Sequence, residues 1–213
     1  LNTSTVADFF GEIETRHHAW PAGRADLHWH LLFDPATTEQ HLVEPYRAIT
    51  HHPGLAPVPA RWLHLTVLHA GPVANYQPDE LAHVTKLVAD ECASLKPFDL
   101  LIDRPSVGRV AIECAARPGA PARRLWELTS NVDAAVTGGR NPLIPNTYYP
   151  HLSLAYGTAG PHRATRTTLK AILSDLPGGP VTLRATHLSL VAQSHDRHHI
   201  TWTPITNIPL GNH

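Results

Sequence analysis

Two stretches decide how this chain is read: Arg61–Gly71, RWLHLTVLHAG, and Tyr148–Gly157, YYPHLSLAYG. Each is an apolar run carrying a histidine with a hydroxyl residue two places on, His64 with Thr66 and His151 with Ser153. Residues two apart on a strand point to the same face. Each stretch therefore presents an imidazole beside a hydroxyl, while Leu63, Leu65 and Val67, or Leu152 and Leu154, turn to the other side. A third copy of the shape, His187 with Ser189, lies inside VTLRATHLSLVAQ (181–193). It lacks the aromatic two residues before the histidine and the glycine that closes the strand. In a chain with 17 histidines such pairs also arise by accident, and the third is read as an ordinary strand pair.

Around these stretches the chain alternates strand and helix. DLHWHLLF (26–33) reads as a strand with Leu27, Trp29, Leu31 and Phe33 on one face and His28 and His30 on the other. A helix is expected over 38–50, made irregular by Pro45. Pro78 followed by Asp79 and Glu80 predicts a helix to about residue 94, since proline and acids suit a first turn. Strands at 97–104 and 108–116, a helix over 122–136, a loop over 137–150 and a helix over 163–176 follow. Two late strands, 181–193 and 198–205, flank a turn at SHDR. The pattern is α+β, mostly sheet with covering helices, and its rhythm suggests two similar halves.

Composition narrows the function. Seventeen basic against 18 acidic residues leave a formal charge of -1. That suits a small anion or a short oligonucleotide held locally, and argues against a grip on long duplex nucleic acid. No run of 18 apolar residues points to a membrane span, and the N-terminus shows no secretory signal, so a cytoplasmic location is expected. The two cysteines, Cys92 and Cys114, form no paired motif. No His-Glu-x-x-His or aspartate cluster predicts a metal, and His195, Asp196, His198 and His199 sit in a turn that reads as solvated.

Imidazole can carry a proton near neutral pH, and a hydroxyl can hold an anionic oxygen. Two such units facing each other would supply the base and the acid that in-line displacement at phosphorus requires, without a metal. Trp62 and Tyr149, two residues before the histidines, are candidates to line a base pocket. His30, Tyr156 and Arg61 are further candidates for contact with substrate. Arg109 and Arg140 read more simply as surface charges.

WLHLTV and YPHLSL, 87 residues apart (64 to 151), resemble the paired His-x-Thr/Ser motifs of the 2H phosphoesterases. That superfamily includes the bacterial 2'-5' RNA ligase-like proteins and the 2',3'-cyclic phosphodiesterases. The resemblance extends from Asp26 to about Ile205 and leaves residues 1–24 as an N-terminal extension. It implies one bilobal domain, with two pseudo-symmetric lobes of antiparallel-rich sheet and outer helices around a central cleft. It also implies His64, Thr66, His151 and Ser153 as the catalytic set, with no cofactor. The expected substrate is a nucleotide or short RNA end bearing a 2',3'-cyclic phosphate, and the expected state is a monomer. A 2'-phosphate product would make His151 the base and His64 the acid, although near-symmetry permits the opposite division. The same groups run backwards would join a 2'-5' linkage. A phosphodiesterase for a non-RNA phosphorylated metabolite, or a nucleotide-binding module without turnover, are the alternatives.

Overall fold

In the computed structural model, residues 4–211 are described, apart from 17, 142 and 146. The chain runs through α1 (Phe9–Thr15), β1 (Asp26–Leu32), α2 (Pro35–Thr38), α3 (Arg47–Thr50), β2 (Leu55–Pro57) and β3 (His64–Pro72). Then come α4 (Pro78–Cys92), β4 (Phe98–Ile102), β5 (Ser106–Val107), β6 (Ala111–Arg117), α5 (Gly119–Thr137) and β7 (His151–Gly157). The last elements are α6 (Arg166–Asp175), β8 (Val181–Ala185), β9 (His187–His195) and β10 (Ile200–Pro209).

Local chemistry explains the helices. Pro78 opens α4, and a capping box between Gln77 and Glu80 satisfies its first free amides. Val84, Val88 and Cys92 recur every four residues and form its buried stripe. The long α5 ends where Gly138 takes the left-handed conformation (φ 67°). The single helix expected over 38–50 is instead broken. Around Pro45, which has no amide to donate, the chain passes through a π turn at Glu39–Val43 and a 3-10 turn at Glu44–Tyr46 before α3.

The strands form one antiparallel sheet in the order β10-β9-β1-β3-β7-β6-β4-β8, with β2 on β7 and β5 on β6. The expected strand over 181–193 is two strands. β8 pairs with β4, β9 pairs with β1 and β10, and only Thr186 lies between them. Ala185 and His187 are two Cα steps apart, at most about 7.6 Å. Strands near opposite ends of the sheet order therefore meet, and the sheet curls. The Leu210 amide donates to the Thr186 carbonyl (2.8 Å) and pins that corner.

At its middle, β3 touches β7 through one register pair, Leu65 opposite Leu152. Both leucines are fully buried, with Val67, Leu68, Val88, Leu100, Ile112 and Leu125. Burying a side chain of this kind contributes about 1.5–3 kcal/mol. The core thus holds β3 against β7 from the side opposite their histidines. No helix among the described residues is long and apolar enough to cross a membrane. Of the loop expected over 137–150, Thr137 still belongs to α5 and the described remainder is irregular, with Ile144 bridging to His69; Pro142 and Asn146 lie outside the described residues.

Candidate active site

The two motif strands carry the same local device. His64 Nδ1 lies 2.8 Å from the Trp62 carbonyl, and His151 Nδ1 lies 2.9 Å from the Tyr149 carbonyl. A carbonyl only accepts, so each Nδ1 carries the hydrogen and each Nε2 is left for a ligand. Both histidines line one cavity of about 210 Å³ together with Thr66 and Ser153. The four residues singled out in the sequence are therefore brought to one place by the central contact between β3 and β7.

Each strand also bulges directly after its hydroxyl residue. Against β1, Trp29 pairs with Leu68 and His30 with Thr66, leaving Val67 as an extra residue in β3. Against β6, Ile112 pairs with Ala155 and Glu113 with Ser153, leaving Leu154 extra in β7. A bulge shifts alternation by one, so a residue three places on returns to the same face. Thr66 is thereby joined by His69, and Ser153 by Tyr156, and both lining residues face the cavity. Strict alternation puts Tyr156 opposite His151; the bulge at Leu154 is why it faces the site.

The imidazoles form a layer at one side of the cavity: His28, His64 and His69 line it, and His30 lies behind them. His30 pairs across the sheet with Thr66, and its ring stacks on His64 at 4.3 Å and 24°. Trp202 packs edge-on to both rings, at 5.2 and 5.1 Å. His30 is fully buried, does not line the cavity, and its two ring nitrogens have no hydrogen-bond partner among the described residues. His28 stacks on His69 at 4.2 Å, and His69 Nε2 reaches Asp26 Oδ2 at 2.6 Å. Asp26 is fully buried and also bound by Arg24.

Burial sets the charge states. Removal from water drives the His64 imidazole down to about 4, against the pull of the Trp62 carbonyl, and a charge on His151 lowers it further. Burial pushes His28 and His30 well below their ordinary value, with neighbouring imidazoles adding to the effect. His69 is lowered less, because Asp26 opposes its desolvation. The His64 imidazole is thus neutral at pH 7, and His151 is the more open of the pair.

The remaining candidates divide. Tyr149 is 59% exposed and lines the cavity mouth, its ring stacked on His151 at 6.0 Å. Trp62 and Arg61 lie outside the lining: Trp62 packs edge-on to Trp202 at 4.8 Å, and the Arg61 guanidinium sits 5.6 Å over the Trp62 ring. Arg140 pairs with Glu80 and Arg109 with Glu12. His187 and Ser189 stand elsewhere, bonded to Thr186 and Asn207. In the late turn, Asp196 accepts the amides of His198 and His199, whereas His195 is buried under the N-terminal segment. Among the described residues no group of His, Cys, Asp and Glu is placed to hold a metal ion.

Several lining residues escaped sequence reasoning. Tyr148 reaches the Thr66 carbonyl (3.3 Å), and Phe9, Ile13, Arg16 and Trp20 come from the N-terminal segment. The aromatic pair in FF at 9–10 is the one local hint of the latter.

The family model of the 2'-5' RNA ligase superfamily matches residues 33–197. The fold is similar to that of a Thermus thermophilus protein, TT0787, with TM-score 0.68 and 21% identity, covering 88% of this chain and 100% of that one. It is also similar to E. coli LigT complexed with 3'-AMP, with TM-score 0.66 and 19% identity, covering 89% and 99%. E. coli LigT complexed with ATP matches at TM-score 0.64. No curated protein matches the chain.

Proposed function

Because this chain belongs to the 2'-5' RNA ligase superfamily, within the 2H phosphoesterases, we propose that it hydrolyses a 2',3'-cyclic phosphodiester by two-histidine acid–base catalysis. The observation that carries this reading is the pair of imidazoles in one small cavity, each held through Nδ1, each with a hydroxyl beside it. Such a pair supplies both proton transfers of an in-line displacement, and the proposed reaction uses no metal.

His64 is the base in this reading. Its burial keeps it neutral, so its Nε2 lone pair is ready to take a proton from water as the oxygen attacks phosphorus. The negative phosphodiester then stabilises the imidazolium that forms. His151, at the more open side, carries the proton that goes to the departing ribose oxygen. Thr66 and Ser153 hydrogen-bond the non-bridging oxygens as charge builds on the pentavalent phosphorus. This division is the reverse of the one drawn from the family resemblance, and the difference in burial is the reason. Nucleotides complexed with E. coli LigT support a nucleotide ligand.

The test is a phosphorus NMR screen of 2',3'-cyclic nucleotides, short cyclic-ended RNAs and other cyclic phosphates, with wild type, His64→Ala and His151→Ala in parallel. Each variant is expected to lose at least about 100-fold in turnover, with wild-type activity unchanged by chelator. Wild-type turnover in either variant would overturn the assignment.

A further inference from the structure

We infer that the described residues between Val6 and Trp20 form a fixed wall of the cleft that restricts it to single-nucleotide-sized cyclic phosphodiesters, excluding the upstream chain of an oligonucleotide. This rests on the phosphodiesterase reading and names its substrate class. The segment precedes the residues matched by the family, yet Phe9, Ile13, Arg16 and Trp20 line the cavity.

It is held from several sides. The Val6 amide donates to the Ala164 carbonyl (2.9 Å) and the Ala7 amide to the Arg109 carbonyl (2.8 Å). Glu12 takes both terminal nitrogens of Arg109 beside β6, and Glu14 takes Arg197 in the turn between β9 and β10. His195 Nε2 meets the Trp20 carbonyl at 2.9 Å. Phe9 stacks on Tyr156 at 4.3 Å. At Gly157 a Cβ would lie 2.1 Å from the Ala7 carbonyl oxygen, so the glycine that closes β7 is what lets the segment seat.

Two consequences limit the substrate. The cavity, about 210 Å³, falls below the roughly 300–1,000 Å³ of ordinary small-molecule pockets. It has room for a ribose cyclic phosphate, with one base at the mouth. A bound strand would need a track of cations along its backbone. Here Arg109 and Arg197 are instead neutralised by carboxylates of the segment itself.

The experiment compares kcat/KM for adenosine 2',3'-cyclic phosphate and for a cyclic-phosphate-ended tetraadenylate. Wild type is expected to favour the mononucleotide by about 30-fold or more. Gly157→Ala, which pushes the segment off, and Glu12→Gln, which loosens its tie to Arg109, are each expected to narrow that ratio about tenfold. If Gly157→Ala fails to fold, Glu12→Gln alone carries the comparison. A wild-type ratio near one, or a ratio unmoved in the folded variants, overturns the wall. If wild type turns over neither substrate, the phosphodiesterase reading falls, and calorimetry with adenosine 2'-phosphate and a 2'-phosphorylated tetraadenylate judges the wall instead. A preference for the mononucleotide that narrows in the variants supports it; equal affinity, or binding of neither, overturns it.

Discussion

Acidification from pH 7 to pH 4 charges imidazoles that the fold keeps out of water. His64 has an ordinary value of 6.5 and is lowered to about 4. Between those values the unfolded chain binds a proton that the native protein does not, so stability falls as pH drops through this window. For His64 alone the loss between pH 7 and pH 4 is about 3 kcal/mol, from roughly 1.4 kcal/mol for each tenfold loss of proton affinity on folding. His28, His30 and His69 act with the same sign. Asp133 acts against them: burial raises it to about 6, so its native proton adds stability as pH falls from 6 towards its ordinary 3.8. His64→Gln isolates one contribution, since a neutral amide of similar size does not titrate. The assay is urea unfolding at pH 7, 5.5 and 4, followed by tryptophan fluorescence. Wild type should lose about 3 kcal/mol more than His64→Gln over that range. If the two lose the same amount, His64 is not a desolvated neutral base, and its assignment as the water-activating group goes with it.

Other outcomes follow from the same geometry. Thr66→Val and Ser153→Ala should each lower kcat about 100-fold with little change in fold stability, as loss of one oxyanion donor does; equal kcat in either variant removes that residue from the mechanism. The acid limb of the kcat/KM profile should lie well below 6.5 in wild type, because the free protein holds His64 neutral down to about 4; a limb at 6.5 contradicts this. Leu65→Ala, at the contact between β3 and β7, should cost about 2–5 kcal/mol in unfolding experiments, and a loss under 1 kcal/mol would mean the centre repacks. Asp133→Asn should gain up to about 3 kcal/mol at pH 8 and much less at pH 4; the same change at both values would show that the buried carboxyl is not protonated.

The chain's own patterning was enough for much of this. The spacing of His64 to Thr66 and His151 to Ser153 put each pair on one strand face, and the structure has them lining a common cavity. Pro78 with its acids marked α4, and the alternation of apolar residues marked β1, β3 and β7. The helix over 38–50 was harder: Pro45 signalled trouble, but whether a proline kinks, ends or re-pitches a helix depends on what packs around it. The strand over 181–193 has continuous strand character, and nothing in its letters says that Thr186 turns it from one end of the sheet towards the other.

What sequence alone determined, then, is the chemistry: two imidazole–hydroxyl pairs on short apolar strands, because alternation is a property of each strand by itself. Tertiary structure decided how that chemistry is housed. The bulges at Val67 and Leu154 depend on pairing with β1 and β6, and they brought His69 and Tyr156 to the site against strict alternation. The neutral state of His64 depends on His30 and Trp202 packed beside it, and part of the cavity's lining comes from a segment distant in sequence. Register, burial and the approach of remote chain are non-local, and no short window of residues contains them.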